Sequence, residues 1–230
     1  MTTKADVTLG DIVATNPAAA RVLERFGLDY CCQGDQTLRD ACDRVGIDDA
    51  EVDAELQAVG SVGASWTALA PTELADHIVA THHAYLHEEL PLLDALAEKV
   101  HAVHGDRHAE LVMVRALVAE LRADLEAHLA KEERVLFPAI HAIAGGRREF
   151  PFGPVANPIR MMRVEHDRAG ELLARLRATT NGYAVPDDAC GSYRSLYERL
   201  QALELDLHVH VHKENHTLFP AAIALYESPG

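Results

Sequence analysis

The chain has 230 residues, 48% of them hydrophobic, which is enough apolar surface for a globular protein with a packed core. Its formal net charge is −15 and no basic run interrupts the acidic excess, so neither nucleic acid nor an anionic membrane surface is an expected partner. The N-terminus lacks a basic segment followed by an apolar one, and no apolar run approaches the roughly 20 residues that cross a bilayer. We therefore expect a cytoplasmic protein.

Strand signals are weak throughout, since aromatic residues make up only 5% of the chain and no Asn-Gly or Asp-Gly turn separates alternating apolar runs. The sequence therefore predicts an all-α fold. Residues 1–62 form a small helical domain in this interpretation, with Thr8, Thr37 and Asp48 as helix N-caps and Asp48-Asp-Ala-Glu51 as a capping box. A linker over 63–71 follows, at the end of a Gly/Ser/Ala-rich stretch.

Two adjacent cysteines, Cys31 and Cys32, lie in the predicted N-terminal domain, and Cys42 and Cys190 complete the set. Four unevenly spaced cysteines do not make a disulfide scaffold, so reduced thiols are expected. Neighbouring Cα atoms are about 3.8 Å apart, below the usual disulfide range of roughly 4.4–6.8 Å, so Cys31 and Cys32 should not bond to each other.

From residue 72 to 230 the periodicity predicts an antiparallel four-helix bundle, because four long amphipathic segments are joined by short Gly/Pro-containing connections. The segments are approximately 72–103, 107–143, 156–180 and 187–226. Kinks or helix ends are expected at Pro91, Pro138 and Pro220.

One segment of the bundle occurs twice. His128-Leu-Ala-Lys-Glu132, followed by Phe137-Pro138, recurs as His210-Val-His-Lys-Glu214, followed by Phe219-Pro220. A histidine and a glutamate four residues apart lie on one face of a helix, so each copy offers two neighbouring metal ligands.

These ligands lie on the apolar stripe of each helix rather than on its polar face, and His83 and His166 occupy the stripes of the other two helices. The predicted stripes are Val79, His83, Leu86, Leu90; Leu121, Leu125, His128, Glu132, Val135, Ala139; Ile159, Met162, His166, Ala169; and Leu207, His210, Glu214, Thr217, Ala221. The repeated unit is thus a helical hairpin that carries one His and then His-x3-Glu.

Two copies bring four histidines and two carboxylates to one level of the core. Burying an ionised carboxylate without a partner costs several kcal/mol, so a chain that does so twice is expected to hold a cation there. Imidazole with carboxylate suits Fe, Mn or Zn, and two metals bridged by both glutamates account for all six ligands. Open coordination positions remain for an oxo or hydroxo bridge and an outside ligand.

For any single histidine, interpretations other than metal ligation stay open. A core histidine is often only hydrogen-bonded, and a His-x3-Glu pair is often a helix-surface pair. His208, His212 and His216 share another face of the fourth helix and offer a competing surface metal site, although a solvated face is preferred. The remaining histidines are interpreted as surface residues, and His104 and Glu165 as candidates for supporting a ligand or relaying a proton.

These motifs, with Gly27-Leu-Asp-Tyr-Cys-Cys-Gln-Gly34 before them and Glu165-His166-Asp167 between the repeats, resemble the iron–sulfur cluster repair di-iron proteins. This is a hemerythrin-like family, also called RIC. The family usually has two glycines after the paired cysteines, where this chain has Gln33-Gly34-Asp35.

The resemblance implies a non-haem di-iron centre with His83, His128, His166 and His210 as ligands and with Glu132 and Glu214 as bridges. It also implies a homodimer and damaged iron–sulfur proteins as partners. Cys31 and Cys32 are candidates for a thiolate of low pKa or a transient metal ligand at a loop or helix end, while a free cysteine is also commonly a small buried hydrophobic residue. The favoured function is a supply of iron for cluster repair under oxidative or nitrosative stress. Two alternatives are a reductase of nitric oxide, oxygen or peroxide, and a reversible sensor of oxygen or nitric oxide.

Overall fold

The computed structural model describes residues 4–59 and 66–228, and within these ranges the chain is helical, with one isolated bridge between Thr8 and Thr37 and no β-strand. The all-α prediction is confirmed. Residues 63–65 of the predicted linker lie outside the described ranges, and a single 3-10 turn, Trp66–Ala68, precedes the first bundle helix. No helix of the described chain is both long and apolar enough to span a bilayer.

The N-terminal segment contains four short helices. They are α1 (Leu9–Thr15), α2 (Ala19–Arg25), α3 (Leu38–Val45) and α4 (Asp49–Ala58). The predicted caps are confirmed, because Thr8, Thr37 and Asp48 each accept a backbone hydrogen bond in the first turn of α1, α3 and α4. The Asp48 carboxylate accepts from Ala50 N–H at 3.0 Å rather than from Glu51, so the cap is an Asx type and not the predicted box.

The chain divides into two compact units at boundaries that differ from the predicted domain limits. The first unit combines residues up to Leu74 with residues from His208 onward, and the second spans Ala75–Leu207. The reason for the difference lies in packing, since α1 contacts the turn Glu214–Leu218 near the C-terminus.

The second unit contains the core of the bundle. Four helices lie wholly in it: α6 (Ala84–His104), α7 (Glu110–Lys131), α8 (Phe137–Ala144) and α9 (Ala156–Thr179). The helices α5 (Pro71–Ile78) and α10 (Gly191–Lys213) cross the boundary between the units, and α11 (Phe219–Glu227) belongs to the first unit. Leu93, Leu121, Leu173 and Leu200 come from α6, α7, α9 and α10 and belong to one buried cluster. Each fully buried leucine contributes about 1.5–3 kcal/mol.

Three five-residue π-helical turns interrupt the bundle helices of the described chain: Val79–His83, Glu132–Leu136 and Glu214–Leu218. A π turn holds one more residue than an α turn, so the positions that face the core change within it. Three predicted stripe positions inside these turns are therefore wrong. Val79 and Val135 are 36% and 45% exposed, and Leu218 is buried where Thr217 was expected.

Proline explains two of these turns. Pro138 and Pro220 each follow a π turn at the start of α8 and α11, where a proline ring would clash with the carbonyl four residues earlier in a regular helix. The wider turn is closed by Phe137 N–H donating to the Glu132 carbonyl, and equally by Phe219 and Glu214. Pro91 lies inside the continuous helix α6, so the helix end considered there is not found.

Candidate metal centre

In the second unit, Glu132 lies among the imidazoles of three helical segments. The Nε2 atoms of His128 and His83 are 3.3 and 3.4 Å from Glu132 Oε2. His166 Nε2 is 3.2 Å from His128 Nε2. His128, Glu132 and His166 each offer a ligand atom, and these atoms lie within 4.8 Å of one another.

The outer nitrogens of two of these histidines are held by carboxylates. His83 Nδ1 donates to Glu133 Oε1 at 3.0 Å, and His128 Nδ1 donates to Glu165 Oε2 at 2.9 Å. With hydrogen on Nδ1, the lone pair of each neutral ring is on Nε2, and it points toward Glu132. Such carboxylate–histidine pairs fix the tautomer and raise the basicity of a metal ligand.

Imidazole nitrogens thus surround a buried carboxylate. Glu132 is fully buried, as is His83, and His128 and His166 are 4% and 3% exposed. With hydrogen on Nδ1, the Nε2 lone pairs of His83 and His128 would repel the Glu132 oxygen 3.3–3.4 Å away unless a cation stood between them. The donor set, imidazole with carboxylate in a closed apolar core, therefore fits a bound transition metal.

Glu165 remains ionised beside His128. The hydrogen bond from His128 is the largest cause that lowers the pKa of Glu165 to about 2, and Lys131 adds a second hydrogen bond. This contact with His128 supports the predicted role of Glu165 beside a ligand. Glu133 plays the same part for His83 and also accepts from His87 Nε2 at 2.8 Å, and sequence reasoning missed it. Its place directly after Glu132 was the available signal.

The first unit carries the second His-x3-Glu pair. His210 Nε2 is 3.1 Å from Glu214 Oε1, and both side chains are buried, with 1% and 0% exposed. Glu132 and Glu214 each occupy the first position of a π turn, immediately after the helix that carries the histidine. Because both glutamates have the same position in the same kind of turn, the sequence repeat is also a structural repeat. π turns often occur at functional sites.

His82 and His104 differ from their predicted settings. His82 was interpreted as a surface residue, but it is buried and its Nδ1 donates to Asp206 at 2.8 Å. His104 lies at the far end of α6 from His83, where its Nε2 is 3.1 Å from Cys190 Sγ. About 20 residues of helix separate the two histidines, roughly 30 Å at 1.5 Å per residue, so His104 is not a partner of the ligands.

The competing histidines of the fourth helix contact the N-terminal segment and do not form a solvated face or a surface metal site. His212 is fully buried between Tyr30 and Trp66, and burial is the main cause that lowers its pKa to about 4. His216 Nε2 donates to the Cys31 carbonyl at 3.0 Å, and His208 lies 3.4 Å from Glu24. These side chains hold the N-terminal segment against the end of α10, all within the first unit.

The paired cysteines lie in a tight loop against this surface. Asp29 Oδ1 accepts from both backbone N–H groups of Cys31 and Cys32, at 3.1 and 2.9 Å, and from Cys31 Sγ at 3.2 Å. The two sulfurs are 3.7 Å apart and unbonded, as the sequence predicted. A Cβ on Gly34 would stand 2.4 Å from the Tyr30 carbonyl, which explains why a glycine closes the loop.

The prediction of a low-pKa thiol is not met at Cys31. Its hydrogen bond with Cys32, followed by burial, raises the pKa of the Cys31 thiol well above the usual value. Asp29, Cys31 and Cys32 nevertheless offer one oxygen and two sulfurs within 4.8 Å of one another. The loop is therefore better suited to holding a cation than to attacking as a free thiolate.

Comparisons with known proteins give matches to both the N-terminal segment and the bundle. Residues 74–222 match the family model described as the hemerythrin HHE cation binding domain, and residues 5–60 match a domain of unknown function, DUF542. The chain is 37% identical over 221 residues to the iron–sulfur cluster repair protein YtfE of Cronobacter sakazakii, covering 95% of this chain and 97% of that protein. The YtfE proteins of an Enterobacter species and of Escherichia coli are 35% and 34% identical over the same coverage.

The fold and the buried His/Glu cluster define a hemerythrin-type cation-binding helical protein. More particularly, the chain belongs to the family of YtfE-like proteins that combine this domain with an N-terminal DUF542 domain.

Proposed function

We propose that His83, His128, Glu132 and His166 of the second unit, and His210 and Glu214 of the first, are the ligands of two iron ions. The single observation that carries the proposal is the convergence of imidazole lone pairs on the buried Glu132 carboxylate. The equivalent His210–Glu214 pair supports a symmetric second half. The hemerythrin cation binding model spans both repeats, from 74 to 222, so both pairs fall within one family match.

The function that this site supports best is repair of damaged iron–sulfur clusters. The relatives bear that function in their names and match over nearly the whole chain. Bound iron supplies exchangeable metal for a cluster. Carboxylate and imidazole ligands bind protons in competition with the metal, so protonation of the ligands offers a route for iron release.

The paired-cysteine loop is proposed as the route by which iron leaves or enters. Cys31 and Cys32 with Asp29 form a small oxygen–sulfur set, and thiolates are the ligands of clusters. The loop contacts the turn that contains Glu214, because the Cys31 carbonyl accepts from Asn215 Nδ2 at 3.3 Å and from His216 Nε2 at 3.0 Å. Metal binding at the thiols would therefore change the surroundings of Asn215, the residue next to the proposed ligand Glu214.

Reactivation of a client enzyme tests the proposal. An enzyme whose cluster has been damaged by nitric oxide or peroxide is incubated anaerobically with the iron-loaded protein and a reductant. We expect the wild-type chain to restore activity and Glu132→Leu to fail. Glu126→Gln is the matched control, since Glu126 lies on the same helix and pairs on the surface with Arg122. Equal reactivation by wild type and Glu132→Leu would contradict the iron-supply function.

The alternatives give different outcomes with the same preparations. A reductase would consume nitric oxide, oxygen or peroxide over many turnovers when electrons are supplied, and a sensor would bind a gas reversibly without turnover. Binding of these gases, a stress-related role and a homodimer rest on the resemblance to the repair family alone.

A further inference from the structure

A second cluster of reactive side chains lies in the other end of the bundle unit, where α6 ends and α10 begins. Cys190 is exposed and immediately precedes α10, and its carbonyl accepts the backbone hydrogen bond of Arg194 at 3.0 Å. The thiol therefore stands at the positive end of a helix of 23 residues. None of the functions proposed above uses this residue.

A buried histidine points at the sulfur. His104 Nε2 lies 3.1 Å from Cys190 Sγ, and only 5% of His104 is exposed. Its ring packs against the rings of Tyr193 and His108, with centroids 5.5 and 6.3 Å away. The imidazole is consequently fixed in position before any reagent arrives, which is the arrangement that activates a cysteine nucleophile.

The hydrogen-bond pattern indicates which nitrogen of His104 carries the hydrogen. Arg107 NH2 lies 3.4 Å from Nδ1, and a guanidinium group can only donate. Nδ1 therefore accepts, and Nε2–H donates toward the sulfur. The Nε2–H group of His104 and the first turn of α10 thus both present positive partial charge to the sulfur.

The surrounding ionisable groups hold the pair in place. His108 Nε2 donates to Asp188 at 3.1 Å, and Glu110 accepts from the Tyr193 hydroxyl at 3.0 Å. Tyr193 is fully buried, and burial is the main cause that raises its pKa, so it remains a neutral donor. Asp188 precedes Cys190 by two residues and Glu110 accepts from Tyr193, so this end of the unit is acidic and a small neutral reagent is preferred over an anionic one.

We propose that Cys190, supported by His104, is a site of oxidation by small neutral hydroperoxides. The thiolate attacks the distal oxygen of the hydroperoxide, a sulfur–oxygen bond forms and the oxygen–oxygen bond breaks. Sulfur loses two electrons and becomes a sulfenic acid, and the alkoxide or hydroxide that leaves takes up a proton from water. His104 acts as a positioning residue that donates to the sulfur.

Site-resolved oxidation of the purified full-length chain tests the proposal. The protein is exposed to hydrogen peroxide near pH 7, sulfenic acid is trapped with dimedone, and each cysteine peptide is quantified by mass spectrometry. We expect Cys190 to react about tenfold or more faster than glutathione under the same conditions. Cys42, which is fully buried, should react far more slowly.

His104→Phe removes the donor and keeps a ring against Tyr193, and should slow labelling of Cys190 by about tenfold, toward the rate of an ordinary thiol. His101→Phe, one turn earlier on α6, is the control and should leave the rate unchanged. An unchanged rate in folded His104→Phe, or a wild-type rate no faster than glutathione, would overturn the proposal. If His104→Phe fails to fold, the comparison of wild type with glutathione decides. Because the readout is a single peptide, loss of cluster repair in another assay does not affect it.

Discussion

Glu133 and Glu165 orient two histidines that are proposed metal ligands. Each accepts the Nδ1 hydrogen of one histidine, and both histidines then turn Nε2 toward the same buried carboxylate. Because a neutral imidazole binds metal only through the nitrogen without hydrogen, these carboxylates choose the ligand atom as well as the ring orientation.

Removing either supporting carboxylate should weaken the metal site without unfolding the chain. We expect Glu133→Gln and Glu165→Gln each to lower iron affinity about 10–100-fold, because the imidazole loses its orienting acceptor and part of its basicity. Competition with a coloured chelator measures this. Glu126→Gln on the surface of α7 is the control, and equal affinities in all four proteins would contradict the account.

At the scale of elements, the π turns separate what periodicity predicts from what it misses. The four helices and the stripe positions of His83, His128, His166 and His210 followed from a regular 3.6-residue repeat, and all four side chains are buried. The stripe positions of Val79, Val135 and Thr217 inside the π turns did not, because one inserted residue changes the register while every residue type remains compatible with an α-helix. Pro138 and Pro220 marked two of the places, but a proline alone does not distinguish a helix end from a widened turn.

Contacts that depend on tertiary packing were also beyond the sequence. Glu133, His82 and His212 look like ordinary polar helix residues, and only the neighbouring elements make them partners of His83, Asp206 and Tyr30. The N-caps, by contrast, were predictable because a cap is decided within one turn of helix.

The shifted register can be measured directly. Leu136→Ala should destabilise the metal-free chain by about 2–4 kcal/mol, since the side chain is 1% exposed. Val135→Ala should change stability by no more than about 0.5 kcal/mol, because its side chain is largely exposed. Urea unfolding gives both values, and a larger loss for Val135→Ala would show that the helix is regular there.

An ion pair between the half-exposed Arg177 and a buried carboxylate joins α9 to α10. Arg177 donates to Glu204 at 2.6 Å, and the Glu204 side chain is only 3% exposed. We expect Arg177→Ala to cost about 2–4 kcal/mol, because it leaves a buried carboxylate without its guanidinium. Arg168→Ala on the same helix breaks surface pairs with Asp124 and Glu120 and should cost about 1 kcal/mol or less. Thermal or urea unfolding that ranks the two variants in the opposite order would contradict this packing.

At the scale of the whole molecule, burying the carboxylates of the proposed centre lowers the stability of the folded chain, and metal binding offsets this loss. The bundle has a continuous apolar core below the site, so the metal-free chain should still fold. Iron that binds only the folded chain raises its stability by mass action.

Iron loading should therefore raise the melting temperature. With free iron about a hundredfold above its dissociation constant, the gain of about 2.7 kcal/mol corresponds to a rise of roughly 5–10 °C for a chain of this size. Calorimetry with and without a chelator measures the shift, and Glu132→Leu should show little of it. An equal shift in Glu132→Leu would place the bound iron elsewhere.

The most direct test of the proposed centre is metal analysis combined with Mössbauer spectroscopy of freshly purified protein. We predict two iron ions per chain in the wild type, with the spectrum of a coupled non-haem pair, and a large loss of iron in Glu132→Leu. Folded protein that was purified without chelators and yet contains almost no metal would contradict the account.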